Sequence, residues 1–182
     1  APQQPEFLTL QGAILTAVGE VEAGAAAAKK AVELDPKNLK NLIGYTNLML
    51  AHARNDQDLK TAEEMIGKIE ALEPKAVVLP YQKGELARRK GNWTEAVKYL
   101  EQAVISSPGL DEVYFSLSQA YRRAGMAKEA DIALAQYRKR QEQRTRLEAV
   151  QIAIGGRPDD AMLYVKLASI QFEMGDYRST AA

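Results

Sequence analysis

Residues 77–110 read VVLPYQKGELARRKGNWTEAVKYLEQAVISSPGL, and their punctuation divides them into two helices. Apolar residues recur at helical spacing in two runs. The first run covers about residues 80–90, with Pro80 in its opening turn, where a missing N–H removes no helical hydrogen bond. Gly91-Asn92 makes the turn, because glycine accepts the positive φ that closes a helix C-terminus. The second run covers about residues 94–106 and puts Ala96, Val97, Leu100, Ala103 and Val104 on one face. Thr94 is predicted to cap its free amides, and Pro108 stops it.

The same pattern recurs on both sides. Residues 29–36 read KKAVELDP, 66–74 read IGKIEALEP, 100–108 read LEQAVISSP and 147–158 read LEAVQIAIGGRP. Their closing prolines are 38, 34 and 50 residues apart. Glycines at the expected turns keep the same period: 34 residues from Gly91 to Gly125, 50 from Gly125 to Gly175, and 72 from Gly19 to Gly91. Two independent markers therefore agree on a 34-residue period with insertions of four and sixteen residues.

A 34-residue helix–turn–helix unit with these landmarks resembles the tetratricopeptide repeat, whose pattern is W-x2-L-G-x2-Y followed by A-x3-F, A and P. The first copy (5–38) supplies Leu8, Gly12, Leu15, Gly19, Gly24, Ala28, Ala31 and Pro36. The second (39–76) supplies Leu42, Tyr45, Thr46, Met49, Ala62, Ile66, Ile69 and Pro74, with its four extra residues expected in the turn Asn55-Asp56-Gln57-Asp58. The third (77–110) supplies Gly84, Ala87, Gly91, Ala96, Leu100, Ala103 and Pro108. The fourth (111–144) supplies Tyr114, Leu117, Ser118, Tyr121, Gly125, Ala130, Leu134 and Tyr137. A fifth begins at Ala161 with Tyr164, Leu167, Ala168, Phe172, Gly175 and Tyr177 and stops without a second helix. Gln11 and Lys83 stand in place of the pattern's leucine and Pro80 in place of its tryptophan, so those two first helices are expected to pack less tightly. The resemblance implies an all-α, right-handed superhelical solenoid with one extended helix near the C-terminus.

That extended helix comes from the sixteen-residue insertion. Residues 127–154 contain no glycine or proline, enough for about 40 Å of helix. Apolar groups cluster at its ends, whereas residues 138–146, RKRQEQRTR, hold none. A stretch polar on every side is expected to bridge through solvent, its Glu142 pairing with Arg138 and Arg146 one turn away. The expected organisation is an array over 1–137, a bridging helix over 127–154 and a C-terminal unit over 147–182. In that unit Leu147, Val150 and Ile154 are expected to meet Leu163, Leu167 and Ile170. A lone first helix would expose its apolar face, so either the native chain continues or a partner covers it. The run Gly24 to Ala28, GAAAA, is read as close helix packing.

Composition narrows the chemistry. Twenty-four basic and twenty-four acidic residues cancel, which argues against a nucleic-acid binder. No cysteine means no disulfide, thiolate metal site or thiol nucleophile. No apolar run approaches the roughly eighteen residues of a membrane span. His52 is the sole histidine and reads as a helix-terminal residue favoured by the dipole. Asp159-Asp160 read as helix caps, and Gly155-Gly156 before Arg157-Pro158 as a helix stop. No nucleotide, metal or hydrolase motif is present, so neither catalysis nor a metal or cofactor is expected. The lack of a membrane-spanning apolar run points to a soluble chain, and the start Ala1-Pro2-Gln3-Gln4-Pro5 to one either exported after signal-peptide removal or a fragment of a longer cytoplasmic chain.

Arrays of this kind bind extended peptides or helices on the concave face formed by first helices. Alignment of the copies puts Asn47, Tyr81, Glu85, Arg88, Arg89, Phe115, Gln119, Arg122, Arg123 and Lys166 on that face. Tyr81 and Phe115, Arg88 and Arg122, and Arg89 and Arg123 are each 34 apart. Aromatic and arginine side chains are favoured interface anchors. Some members of the family clamp a C-terminal carboxylate with lysines and asparagines; Asn47 matches one such position, but Thr9 replaces the lysine, so that clamp is not expected. The expectation is a non-enzymatic scaffold for a protein or peptide partner, the alternative a structural subunit or self-assembling homo-oligomer.

Overall fold

Helices end where the chain supplies turn chemistry. The computed structural model describes residues 4–174, and within them the chain forms nine helices and no strand. They are α1 (Pro5–Ala17), α2 (Val21–Leu34), α3 (Leu39–His52), α4 (Asp56–Leu72), α5 (Leu79–Arg89), α6 (Trp93–Ser106), α7 (Glu112–Arg123), α8 (Ala127–Gly156) and α9 (Ala161–Glu173). Gly19, Gly91 and Gly125 follow α1, α5 and α7 with φ of 92°, 78° and 82°. In all three of these turns the amide after the glycine reaches back to the helix: Glu20 N donates to Leu15 O at 2.8 Å, Asn92 N to Ala87 O at 2.9 Å and Met126 N to Tyr121 O at 2.9 Å. The last carbonyls are thereby satisfied without a side chain. Gly175 and Tyr177 of the fifth copy lie outside the described residues.

Two local expectations are corrected. Thr94 does not cap α6: the helix already starts at Trp93, and Asn92 before it makes no side-chain cap bond. The four extra residues of the second copy form no loop. Asn55 caps α4 by accepting from Asp58 N at 3.0 Å, and Asp56 and Asp58 suit the positive end of the helix dipole. The insertion thus becomes part of a 17-residue helix. Gly155 and Gly156 form the last residues of α8, which stops there as expected. The Asp160 cap is present, its carboxylate accepting from Met162 N at 3.1 Å.

Pairs α1–α2, α3–α4, α5–α6 and α7–α8 pack as hairpins, and each second helix also meets the next first helix up to α7. First helices touch one another along the row α1, α3, α5, α7, whereas no second helix touches another second helix among the described residues. The row in mutual contact is the inner one, so the stack curves with its first helices on the concave side. The core follows the same order. Leu42 and Ile69, both 0% exposed, anchor one cluster across α2 to α5; Leu100 and Val113, also 0%, anchor the next across α5 to α8. Gly84 lets α5 close on α6: a Cβ there would lie 2.7 Å from Leu100 Cγ.

The polar middle of α8 is not a solvated spacer. Asp111, 2% exposed at the start of α7, is held by Arg144 Nη2 at 2.7 Å and Arg140 Nη1 at 3.3 Å. The Arg140 guanidinium also lies 4.8 Å above the Tyr114 ring, and Gln143 between the two arginines is buried. A buried carboxylate needs a counter-charge, and two arginines one turn apart provide it. Beyond this contact α8 carries Leu147, Val150 and Ile154, all partly buried, toward α9, where Leu163 and Ile170 are buried. Among the described helices α9 touches α8 alone. No helix among the described residues is long and apolar enough to cross a membrane.

Candidate functional site

The inner row positions most of the residues singled out above. Asn47, Tyr81, Glu85, Arg88, Arg89 and Phe115 line one depression of about 390 Å³ between α3, α5 and α7. Leu50, Ala51, Glu112 and Ser116 complete its wall. Gln119, Arg122 and Arg123 line a second, of about 330 Å³, together with Arg88 and Trp93. Lys166 stands apart: it is exposed on α9, which touches none of the inner helices.

The polar groups of the central depression are bound to one another. Glu85 is only 6% exposed, and Arg88 grips its carboxylate with Nη2 at 2.7 Å and Nε at 3.1 Å. Arg88 Nη1 reaches Gln119 Oε1 at 3.0 Å and so ties α5 to α7. Arg89 donates to the Ala51 carbonyl at 2.5 Å, tying α5 to α3. Asn47 accepts from Gln82 Nε2 at 2.8 Å, leaving Gln82 Oε1 buried without a partner. Burial, then the Glu85 and Glu112 carboxylates, push the Tyr81 phenol up to about 12, against the opposing effects of Ser116 and Arg88. Tyr81 is therefore neutral at ordinary pH and presents a hydroxyl on an apolar ring.

At the rim of α7 the arginines diverge in their partners. Arg122 pairs with Asp131 at 2.8 Å, whereas Arg123 lies 5.8 Å from the Trp93 ring centroid with no carboxylate on it among the described residues. Phe115 packs on Tyr137 with ring centroids 5.2 Å apart and stays 42% exposed.

A third depression, about 460 Å³, was not anticipated from the sequence. It lies between α1 and α3 and is lined by Thr9, Ala13, Thr16, Ala17, Ala28, Gly44, Asn47, Leu48, Ala51 and His52. Small side chains leave this space unfilled. The signal for it was present in the repeat register: Ala13 and Ala17 stand 34 residues before Asn47 and Ala51. Asn47 and Ala51 border both this depression and the central one, and Arg88 borders both the central one and that of the rim. Neighbouring depressions therefore share lining residues along the row of inner helices. Among the described residues no group of three or more His, Cys, Asp or Glu side chains stands close enough to hold a metal ion.

Residues 79–109 match the tetratricopeptide repeat family. No curated protein matches the chain in sequence. Among solved structures the chain is similar to TTC0263, a thermophilic TPR protein of Thermus thermophilus, with a TM-score of 0.63 and 24% identity, covering 94% of this chain and 83% of that one. It is also similar to MamA from Desulfovibrio magneticus RS-1, at a TM-score of 0.54 and 16% identity over 98% of this chain and 90% of that one. A second MamA, from MSR-1, gives 0.56 and 17% over 78% and 79%. At such identities the likeness is one of fold.

Proposed function

The chain is a solenoid of tetratricopeptide repeats, and we propose that it is a non-enzymatic scaffold that binds a partner peptide or helix in the concave groove of α1, α3, α5 and α7. The fold is that of a protein-interaction scaffold. What supports binding in this groove is the succession of three depressions that share Asn47, Ala51 and Arg88 along one row of helices. Its walls combine aromatic surface at Tyr81 and Phe115 with arginines at the rim, the residue types that dominate binding energy at interfaces. Internal bonds of Glu85, Arg88 and Gln119 hold that wall in place before a partner arrives, which lowers the ordering cost of association. The absence of cysteine and the single histidine are in keeping with binding rather than nucleophilic chemistry.

Arg88 is a poor residue with which to test this, since its removal strands the buried Glu85 carboxylate. Phe115 and Arg89 are exposed and better suited. The immobilised chain should recover a discrete set of proteins from native extract, and the double variant Phe115→Ala, Arg89→Ala should lose most of it. Recovery of the same set by a folded double variant would remove the groove from the argument.

A second reading has its own support. Phe7, Leu10 and Ile14 lie along one face of α1, with Val18 just past its end, and the four are 55–69% exposed. A stripe at that spacing is a surface for another helix, in keeping with a subunit of a larger complex or self-assembly. Light scattering over a wide concentration range separates the cases: a strict monomer, unchanged by Leu10→Glu, argues against self-assembly.

A further inference from the structure

The groove changes chemistry halfway along, at positions equivalent in every repeat. The last turns of the inner helices carry Thr16-Ala17 in α1, Leu50-Ala51 in α3, Arg88-Arg89 in α5 and Arg122-Arg123 in α7. The helix dipole favours a basic residue at any of these C-termini, so it does not account for two pairs of arginines at one end and none at the other. Internal partners take up part of the positive charge: Glu85 holds Arg88 and Asp131 holds Arg122. Arg89 and Arg123 keep no carboxylate among the described residues, bonding instead to a backbone carbonyl and to the Trp93 face. The remaining groove carboxylate, Glu112, sits in the first turn of α7, at the opposite end of that helix from Arg122-Arg123. The α1–α3 half is lined by Ala13, Ala17, Gly44, Leu48 and Ala51, interspersed with Thr9, Thr16, Asn47 and His52, and offers mainly apolar surface without an arginine.

We infer that the occupant of the groove is an extended peptide segment with a cluster of acidic residues at one end and a cluster of apolar residues at the other. The acidic end lies on Arg89 and Arg123, and the apolar end fills the alanine-lined space between α1 and α3. This rests on the groove reading above. Packed helices stand about 8–10 Å apart, so two steps along the row span about 20 Å. An extended chain rises about 3.3 Å per residue, which separates the clusters by about six residues.

The test is selection from a displayed library of random peptides about twelve residues long on the full chain. Measured in parallel are Arg89→Glu with Arg123→Glu, and Ala17→Glu with Ala51→Glu, all four sites being exposed and each variant's helicity verified by circular dichroism. Selected peptides are expected to carry Asp or Glu about six residues from Leu, Ile, Met or Phe. The arginine reversals should weaken them on the order of tenfold or more, the effect of losing one charge-assisted hydrogen bond, and the alanine changes should abolish the apolar preference. Peptides that bind through the groove without an acidic cluster would overturn the inference and leave the groove standing. A library with no binder, or binders indifferent to both variants, would remove the groove reading as well. Tight binding of a uridine oligonucleotide through Arg89 and Arg123, with no acidic peptide selected, would assign the strip to nucleic acid and overturn the proposal.

Discussion

A methyl group added at Gly24 would lie 2.7 Å from the Gly12 carbonyl oxygen and against Thr16 Oγ1. One added at Gly84 would also meet an atom at 2.7 Å, Leu100 Cγ, the branch point of a fully buried side chain. Relief at Gly24 requires shifting the α1–α2 hairpin backbone, and at Gly84 displacing a core leucine. Overpacking of this kind costs about 1–3 kcal/mol, and alanine returns about 1 kcal/mol of helix propensity at either site. Gly84→Ala and Gly24→Ala are therefore both expected to destabilise, by about 1–2 kcal/mol each. Urea unfolding of the full chain measures both, and a Gly24→Ala variant as stable as the parent would mean the hairpin is looser than its contacts indicate. The run GAAAA announced close packing in the sequence. What it could not announce was the partner atom, because Gly12 is twelve residues away and becomes a neighbour only once two helices have formed.

Among the elements, α8 shows where sequence reading loses its grip. Its length was legible, since residues 127–154 lack any residue that would break a helix. Its polar middle packs through side chains whose apolar stems a hydropathy pattern does not register. Arginine buries its stem while its charge stays paired, and the charge it needed, Asp111, belongs to a different element. The turns at Gly91 and Gly125 were readable for the opposite reason: a positive φ is a local demand that only the residue itself can meet. Asp111 is expected to be the fastening of this helix to the array. Its replacement by alanine removes hydrogen bonds from two guanidinium groups, of which Arg140 is 21% and Arg144 44% exposed. Because water reaches both, the loss should be about 1–3 kcal/mol, the range for bonds to charged groups, rather than the larger penalty of a sealed pair. Hydrogen exchange should then quicken in residues 138–146 while α5 and α6 keep their protection. Unchanged exchange there would show that Tyr114 and Gln143 hold the helix without the carboxylate.

For the whole molecule the same fastening sets how stability is distributed. The array from α1 to α7 is a chain of nearest neighbours, each inner helix touching the inner helix before it and the second helix of its own and the preceding hairpin. That arrangement was legible from the 34-residue period, because packing residues that recur in register can only stack. At α9 the pattern ends: this helix has α8 as its sole neighbour among the described helices, and Met162, Val165 and Phe172 are 61–66% exposed. Arg146 and Glu173 join α8 to α9 by an ion pair at 3.0 Å, but both partners are largely solvated, and such pairs add little. Two buried side chains, Leu163 and Ile170, carry most of its attachment. A unit with so few buried contacts opens without the rest unfolding. Amides of residues 161–174 should accordingly exchange well before those of α5 and α6, which sit between neighbours on both sides. The α8 segment 138–146 should fall between them, being tied to α7 by Asp111 yet only partly buried. Equal protection of α9 and α5 would mean that the terminal unit docks onto the array or a second copy in solution. In that case exchange measured across a range of protein concentrations distinguishes the two: dilution restores fast exchange in α9 only if a second copy covers it, because association between copies follows mass action.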